Sequence, residues 1–356
     1  MAVPFWLNKL AARTGVTRLL GSAKKDDGAA AFRRYLSDRS LATPVANSGL
    51  AEVHDPDAID LTQSAPRFDF VPRVANDRRP SPPPMGLMEL RQALAASCHF
   101  NVDPVNELLM THGATGALAS AFDAFVNPGH RVVLFDPTSP IYSSMLHHRR
   151  AKVQWLPTWT EQGRVRFHLE PLAKALAGAR MLVLADPVNP TGAVFGPEDL
   201  EQVAWWANRH DVLLIHDRTF SRFEDGERPA LASFPNAAQR TLTIGRIAGH
   251  RHLVAPCLAS QSLTAPLVPA VCQQMALAAL QVGDGPFRPT LSQIAGRRRF
   301  VCERLQAMGL AAPWPAAGFY LWVPVFSLGK AGHAFSEQLL GEKKVVVTPG
   351  EPFGPS

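Results

Sequence analysis

Cysteine is scarce. Four residues, Cys98, Cys257, Cys272 and Cys302, stand far apart in a chain of 356, and none forms a C-x-x-C pair. Zinc-finger spacing and a disulfide framework therefore have no support, and a reducing, cytoplasmic setting is the expectation. Long apolar runs are also lacking. No stretch reaches the roughly 18 residues that a membrane-spanning helix needs, so no membrane partner is expected. The first residues (MAVPFWLNK) do not have the basic stretch, apolar stretch and small-residue cleavage site of a secretory leader. The 25 glycines and 31 prolines follow no three-residue period, which excludes a collagen-like chain. No internal repeat stands out, and low complexity is limited to Pro82-Pro83-Pro84.

What is present is the composition of a globular enzyme: 46% hydrophobic and 19% charged residues. The length suggests two domains and ample chain for a core. A formal charge of +6 raises nucleic acid or acidic small molecules as partners. The basic residues, though, form only short clusters, Arg78-Arg79, Arg149-Arg150 and Arg297-Arg298-Arg299. These read as solvated surface, and no nucleic-acid partner is expected.

Residues 1–45 stand apart. Leu10 to Leu20 looks superficially like part of a helix-turn-helix but has no convincing partner helices, and reads as a short amphipathic helix. From about residue 48, strand and helix patterns alternate. Strands are expected at 106–111, 131–135, 152–156, 180–185 and 212–215. Helices are expected at 86–97, 117–125, 170–177 and 197–210. The run RMLVLA, Arg180 to Ala185, is continuously apolar, as in a parallel strand buried on both faces. The alternation argues an α/β sheet with right-handed crossovers. Further on, helices are expected at 267–280 and 290–308 and strands at 318–323 and 344–347, which suggests a smaller α+β domain.

Three strand ends carry chemical information. His112-Gly113-Ala114-Thr115-Gly116 joins a strand to a helix start, where backbone N–H groups and a positive dipole end suit a phosphate; it is also a simple tight turn. Asp186-Pro187-Val188-Asn189-Pro190-Thr191-Gly192 holds an Asn between two prolines at the carboxyl end of a strand, where ligands of α/β sheets gather. Ile215-His216-Asp217-Arg218-Thr219-Phe220 places an Asp directly after an apolar strand. Such an Asp either caps a helix or holds a protonated heterocyclic nitrogen.

In this order and spacing the three segments resemble the class I/II aminotransferases, fold-type-I enzymes that use pyridoxal phosphate. The resemblance runs from about Ile59-Asp60-Leu61 to the last residue. It includes Gly86-Leu87-Met88-Glu89-Leu90-Arg91, Gly318-Phe319-Tyr320-Leu321-Trp322-Val323 and Val347-Thr348-Pro349-Gly350-Glu351-Pro352-Phe353-Gly354. It implies a mostly parallel seven-stranded sheet in a large cofactor-binding domain at 46–270, and a small domain at 271–356 that the N-terminal segment 1–45 joins. It also implies a homodimer acting on an amino acid or 2-oxo acid. Ala114 and Thr115 would hold the cofactor phosphate, Asn189 the ring oxygen and Asp217 the pyridinium nitrogen. Arg251, in Gly249-His250-Arg251, would be the phosphate-binding arginine.

The chain also departs from the pattern. The family's Schiff-base lysine lies eight residues before that arginine, a count that leads to Thr243, and no lysine occurs between Lys174 and Lys330. Threonine forms no imine, and the guanidinium of nearby Arg246 is a poor amine nucleophile. Ser139 stands where an aromatic ring usually stacks on the cofactor, and Phe220 where a tyrosine bonds the ring oxygen. The stretch Pro80-Ser81-Pro82-Pro83-Pro84-Met85, just before the Gly86 helix start, holds no tyrosine. At Ser356 the family usually continues with a strand bearing the carboxylate-binding arginine, and then a helix. A small domain cut short, with a bare edge at 344–347 or 320–322, is therefore expected. The expectation is a catalytically degenerate homologue with a weak or lost pyridoxal phosphate site. The alternatives are an active aminotransferase that draws on a distant lysine or an aminated cofactor, and a non-catalytic regulatory or dimer-partner protein.

Overall fold

The apolar runs that are too short for helices form the centre of a sheet. Met181–Ala185 (β7) is buried along its whole length, between Arg131–Asp136 (β3) and Leu213–Asp217 (β8). Beyond β3 lies Lys152–Pro157 (β4); beyond β8 lie Thr241–Ile244 (β9), Ile247–Ala248 (β10) and Leu108–Leu109 (β2). The seven-stranded order is β2-β10-β9-β8-β7-β3-β4. Every pairing is parallel except those of β10, which is antiparallel to both β2 and β9. The computed structural model describes residues 57–62 and 81–355, apart from 225, 227 and 311, together with 37, 66, 68, 72 and 74. The N-terminal helix expected around Leu10–Leu20, and the segment 1–45 it belongs to, lie outside these residues.

Two helical layers cover the sheet. Gly113–Phe125 (α2), Pro140–His148 (α3) and Arg251–Thr264 (α6) pack on one face with Val132, Leu134, Val183, Ile215 and Leu242. Leu169–Leu176 (α4) and Pro197–Arg209 (α5) pack on the other with Val133, Leu182, Leu184 and Leu214. Adjacent residues of one strand therefore serve opposite cores, as the period of two requires. Fully buried side chains such as Phe122, Phe195 and Leu134 each contribute about 1.5–3 kcal/mol by leaving water. Met88–Ala96 (α1) lies against Ala270–Val282 (α7), and Arg288–Ala307 (α8) follows.

The last part is built around Gly332–Lys343 (α9) and Val345–Val346 (β11). β11 pairs in parallel with Ile59–Asp60 (β1), so residues 59–61 hydrogen-bond with 344–346 rather than with the large sheet. A small hairpin, Trp159–Glu161 (β5) and Arg164–Arg166 (β6), flanks the sheet. No described helix is long and apolar enough to cross a membrane.

The strand expected at 318–323 does not form. Gly318 donates its N–H to the Phe223 carbonyl at 3.2 Å, and the rings of Phe319 and Tyr320 pack on Phe220. Ring packing with the loop after β8 takes the place of a ladder. The strand expected at 106–111 shrinks to two residues, because a turn from Asp103 to Glu107 occupies its start. The helix expected at 117–125 begins four residues earlier, at Gly113, which puts Ala114 and Thr115 in its first turn.

Candidate functional site

The carboxyl ends of β2, β8 and β9 point to one edge of the sheet, and there the motif residues gather. At the α2 N-terminus, Gly113 N–H goes to the Thr111 carbonyl and Gly116 N–H to the His112 carbonyl. The N–H groups of Ala114 and Thr115 have no partner among the described residues, and no side chain caps the helix. Two free donors at the positive end of a 13-residue helix form an anion cup. Asn189 is half-buried, and its amide makes no hydrogen bond among the described residues. Its turn is held from outside: Gly192 has φ +65°, and a Cβ there would meet the Ala317 carbonyl oxygen at 2.4 Å. Only glycine lets segment 315–317 close on this turn, where Ala317 N–H bonds the Gly192 carbonyl at 2.9 Å.

Asp217 ends β8 and is 8% exposed. Its Oδ1 accepts from the backbone N–H and the hydroxyl of Thr219, and its Oδ2 accepts from the Tyr142 hydroxyl at 2.6 Å. A carboxylate has room for about four such bonds, so one acceptor position remains for a pyridinium N–H. Burial, and then the Asp217 charge, push the Tyr142 phenol well above its usual range, which keeps it a neutral donor. Tyr142 lies in α3, an element that was not expected from the sequence. The one available clue was that it follows Pro137 and Ser139 within the same turn.

Behind the Asn189 turn lies a buried charged cluster. Asp186, fully buried, accepts from Phe195 N–H at 3.1 Å and pairs with Arg218 and Arg228 at 3.3 and 3.2 Å. Burial opposes its ionisation, but His216, Arg228 and Arg218 outweigh that and hold its carboxyl below the usual range. Burial drives His216 down, and its Nδ1 accepts from Leu231 N–H at 3.1 Å. Glu224 completes the cluster against Arg218 and Arg228, and burial pushes it up to about 7.

Two assignments need correction. Thr243 pairs in register with His216, whereas Asp217 pairs with Ile244. By the alternation of strand side chains, Thr243 faces the α4/α5 core and Asp217 faces the α2/α3/α6 core. Thr243 is buried, and its Oγ1 lacks a hydrogen-bond partner. Counting eight residues back from Arg251 thus leads to the wrong face of the sheet. Arg251 itself lies at the opposite edge from the α2 N-terminus. β10 runs back down the sheet, Gly249 N–H bonds the Glu107 carbonyl, and Arg251 N–H meets the Glu107 carboxylate at 3.4 Å, below the start of β2. The cation at the upper edge is Arg246. With Gly245 it forms the whole turn between β9 and β10, and it lines a cavity together with Thr111 and Thr219.

The other departures have clear surroundings. Ser139 is the N-cap residue of α3, with no ring at that position. Phe220 packs edge-on against Phe319 and Tyr320, with centroids 5.4 and 6.0 Å away. The described lysines stand elsewhere. Lys152 opens β4 at the lower edge, Lys174 pairs with Glu170 on α4, Lys330 bonds Gln338 of α9, and Lys343 and Lys344 end α9. The donors present therefore fit a phosphate and a protonated pyridine, and they do not fit an imine.

Comparison with known proteins agrees with the fold. The aminotransferase class I and II profile matches residues 56–355. The aspartate/prephenate aminotransferase of Thermus thermophilus is 30% identical, over 90% of this chain and 91% of its own. The aspartate aminotransferase of Pyrococcus abyssi is 28% identical, over 76% of each chain. Among solved structures, a Thermus thermophilus aspartate aminotransferase mutant superposes with a TM-score of 0.78 at 27% identity, covering 89% of this chain and 92% of that one. The N-succinyldiaminopimelate aminotransferase of Mycobacterium tuberculosis gives 0.74 at 25% identity, covering 84% and 86%. With the profile matching residues 56–355 and a relative 30% identical over 90% of this chain, the chain belongs to the aminotransferase class I and II family.

Proposed function

We propose that this chain is a catalytically degenerate aminotransferase that holds pyridoxal phosphate weakly and without a covalent bond. The observation that carries this reading is the β9–β10 turn, which consists of Gly245 and Arg246 and offers no primary amine. Ala114 and Thr115 would hold the phosphate through free N–H groups, Asn189 the ring oxygen, and Asp217 the pyridine nitrogen. When bound in this family, the cofactor supplies an electron sink for amino-acid chemistry. Among the described residues no amine stands ready to tether it, and Ser139 provides no stacking ring, an interaction worth about 0.5–1.5 kcal/mol in aromatic pairs. The same reading keeps a large domain over 46–270 and a small one over 271–356, with residues 59–61 tied to the latter. Any residual turnover would use an amino acid and a 2-oxo acid, in a homodimer.

The test is a titration of the full chain with pyridoxal phosphate, followed by dialysis and borohydride reduction. The expected result is no persistent visible imine band, no covalent adduct by mass spectrometry, and no exchange of amino groups between amino and 2-oxo acids. A band that survives dialysis and is fixed by borohydride, or measurable transamination, overturns the reading in favour of an active enzyme.

A further inference from the structure

A cavity of about 560 Å3 opens beside the upper edge of the sheet, between α1, α7 and the start of α8. Its size is that of a site for a small organic molecule. The walls are largely apolar, with Leu90, Leu94, Met110, Val268, Leu280 and Leu291 among the lining side chains.

The polar groups of the wall can be accounted for one by one. Gln273 donates to the Val268 carbonyl at 2.8 Å and accepts from Leu87 N–H at 2.7 Å. The Thr111 hydroxyl donates to the Gly113 carbonyl at 2.9 Å, and the Thr219 hydroxyl donates to Asp217. Arg222 and Asp284 neutralise each other. Arg246 is the exception. Its Nε is buried without a partner, its Nη2 reaches only the Cys98 sulfur at 3.0 Å, and no carboxylate pairs with it among the described residues. A guanidinium keeps its charge at any ordinary pH, and its fork of donors matches a carboxylate.

We propose that this cavity binds an organic monocarboxylate with an apolar body, its carboxylate on Arg246 and its hydrocarbon against the α1 and α7 side chains. Ala114, Asn189 and Asp217 do not line the cavity, so the proposal does not rest on the cofactor reading. Binding buries apolar surface and gives the guanidinium, which no described carboxylate pairs, a counter-charge. In the free protein the buried Nε otherwise has no acceptor among the described residues, and an unmet buried donor is costly.

The test uses the full chain and calorimetric titration with 4-phenylbutanoate and, separately, its uncharged amide. The acid is expected to bind and the amide to bind at least tenfold more weakly. Arg246→Gln should weaken the acid at least tenfold and leave the amide unchanged. Ala276→Trp, which fills the cavity while keeping the guanidinium, should abolish both, with thermal unfolding confirming that each variant folds. The acid should still bind at saturating pyridoxal phosphate. Equal affinity for acid and amide, or an unchanged affinity in Arg246→Gln, overturns the proposal. So does displacement of the acid by pyridoxal phosphate, which would assign Arg246 to the cofactor site. Failure of pyridoxal phosphate to bind at all would count against the proposed function and leave this inference standing.

Discussion

The Tyr142 hydroxyl donates to Asp217 Oδ2 at 2.6 Å across the carboxyl edge of the sheet, and both groups are buried. The contact ties α3 to the end of β8 and holds the Asp217 carboxylate in one orientation. Hydrogen bonds to charged groups contribute about 1.5–3 kcal/mol. Tyr142→Phe should therefore lower stability by about that amount in urea unfolding. The raised phenol gives a second readout. A phenol whose folded pKa lies above its unfolded one contributes stability that is complete below the unfolded value, near 10, and is lost as pH rises through the folded one. In native protein, ultraviolet titration should show Tyr142 ionising only together with alkaline unfolding. Ionisation of all tyrosines near pH 10 in folded protein would contradict the buried contact.

Thr243→Lys should not recreate a tethered cofactor. The new side chain would enter the α4/α5 core beside His216, on the face away from Asp217. An unpaired ammonium there should cost about 3–5 kcal/mol. The expected result is a marked loss of thermal stability and no borohydride-reducible band with pyridoxal phosphate. A stable variant with such a band would show that position 243 reaches the Asp217 side.

Glu224 makes stability depend on pH around neutrality. Burial lifts its carboxyl to about 7, although Arg218 and Arg228 pull it down. A carboxyl raised on folding contributes stability that is complete below about 4.5 and disappears as pH rises through about 7. Glu224→Gln removes that dependence while Asp186 continues to pair with both arginines. Melting curves at pH 5 and pH 8 should diverge. The variant should gain about 2–4 °C over the parent at pH 8 relative to pH 5. Parallel pH profiles for the two proteins would refute the assignment.

Gly192→Ala tests how the Asn189 turn is held. The positive φ alone costs about 1–3 kcal/mol, and the Cβ would strike the Ala317 carbonyl. The variant should be destabilised, with faster amide exchange at Ala317 and Gly318. Unchanged exchange there would mean that segment 315–318 does not need the turn.

Much of this architecture could be read directly from residue order. The period of two and the continuous apolar runs locate β3, β4, β7 and β8, because a strand buried on both faces leaves a distinct pattern. Gly113, Asn189 and Asp217 mark the carboxyl edge because each lies at or within four residues of the end of a strand. Several elements have no comparable local signal. β10 is two residues long, α3 begins in a turn with little apolar period, and the Phe319–Tyr320 rings read as a strand while they pack as a cluster. The partner of Asp217 was illegible for the same reason, since Tyr142 reaches it from an element 75 residues away.

Residue order alone was enough for the family, the sheet and the absence of any lysine between Lys174 and Lys330. Which arginine reaches the upper edge of the sheet was settled by strand direction. Spacing along the chain pairs Arg251 with the motif, but the reversal at Gly245-Arg246 turns β10 downward, carries Arg251 to the lower edge and leaves Arg246 above. A sequence count measures distance along the chain. Which edge and which face a side chain reaches depends on strand direction and register, and these are set by hydrogen bonds between segments far apart in the chain.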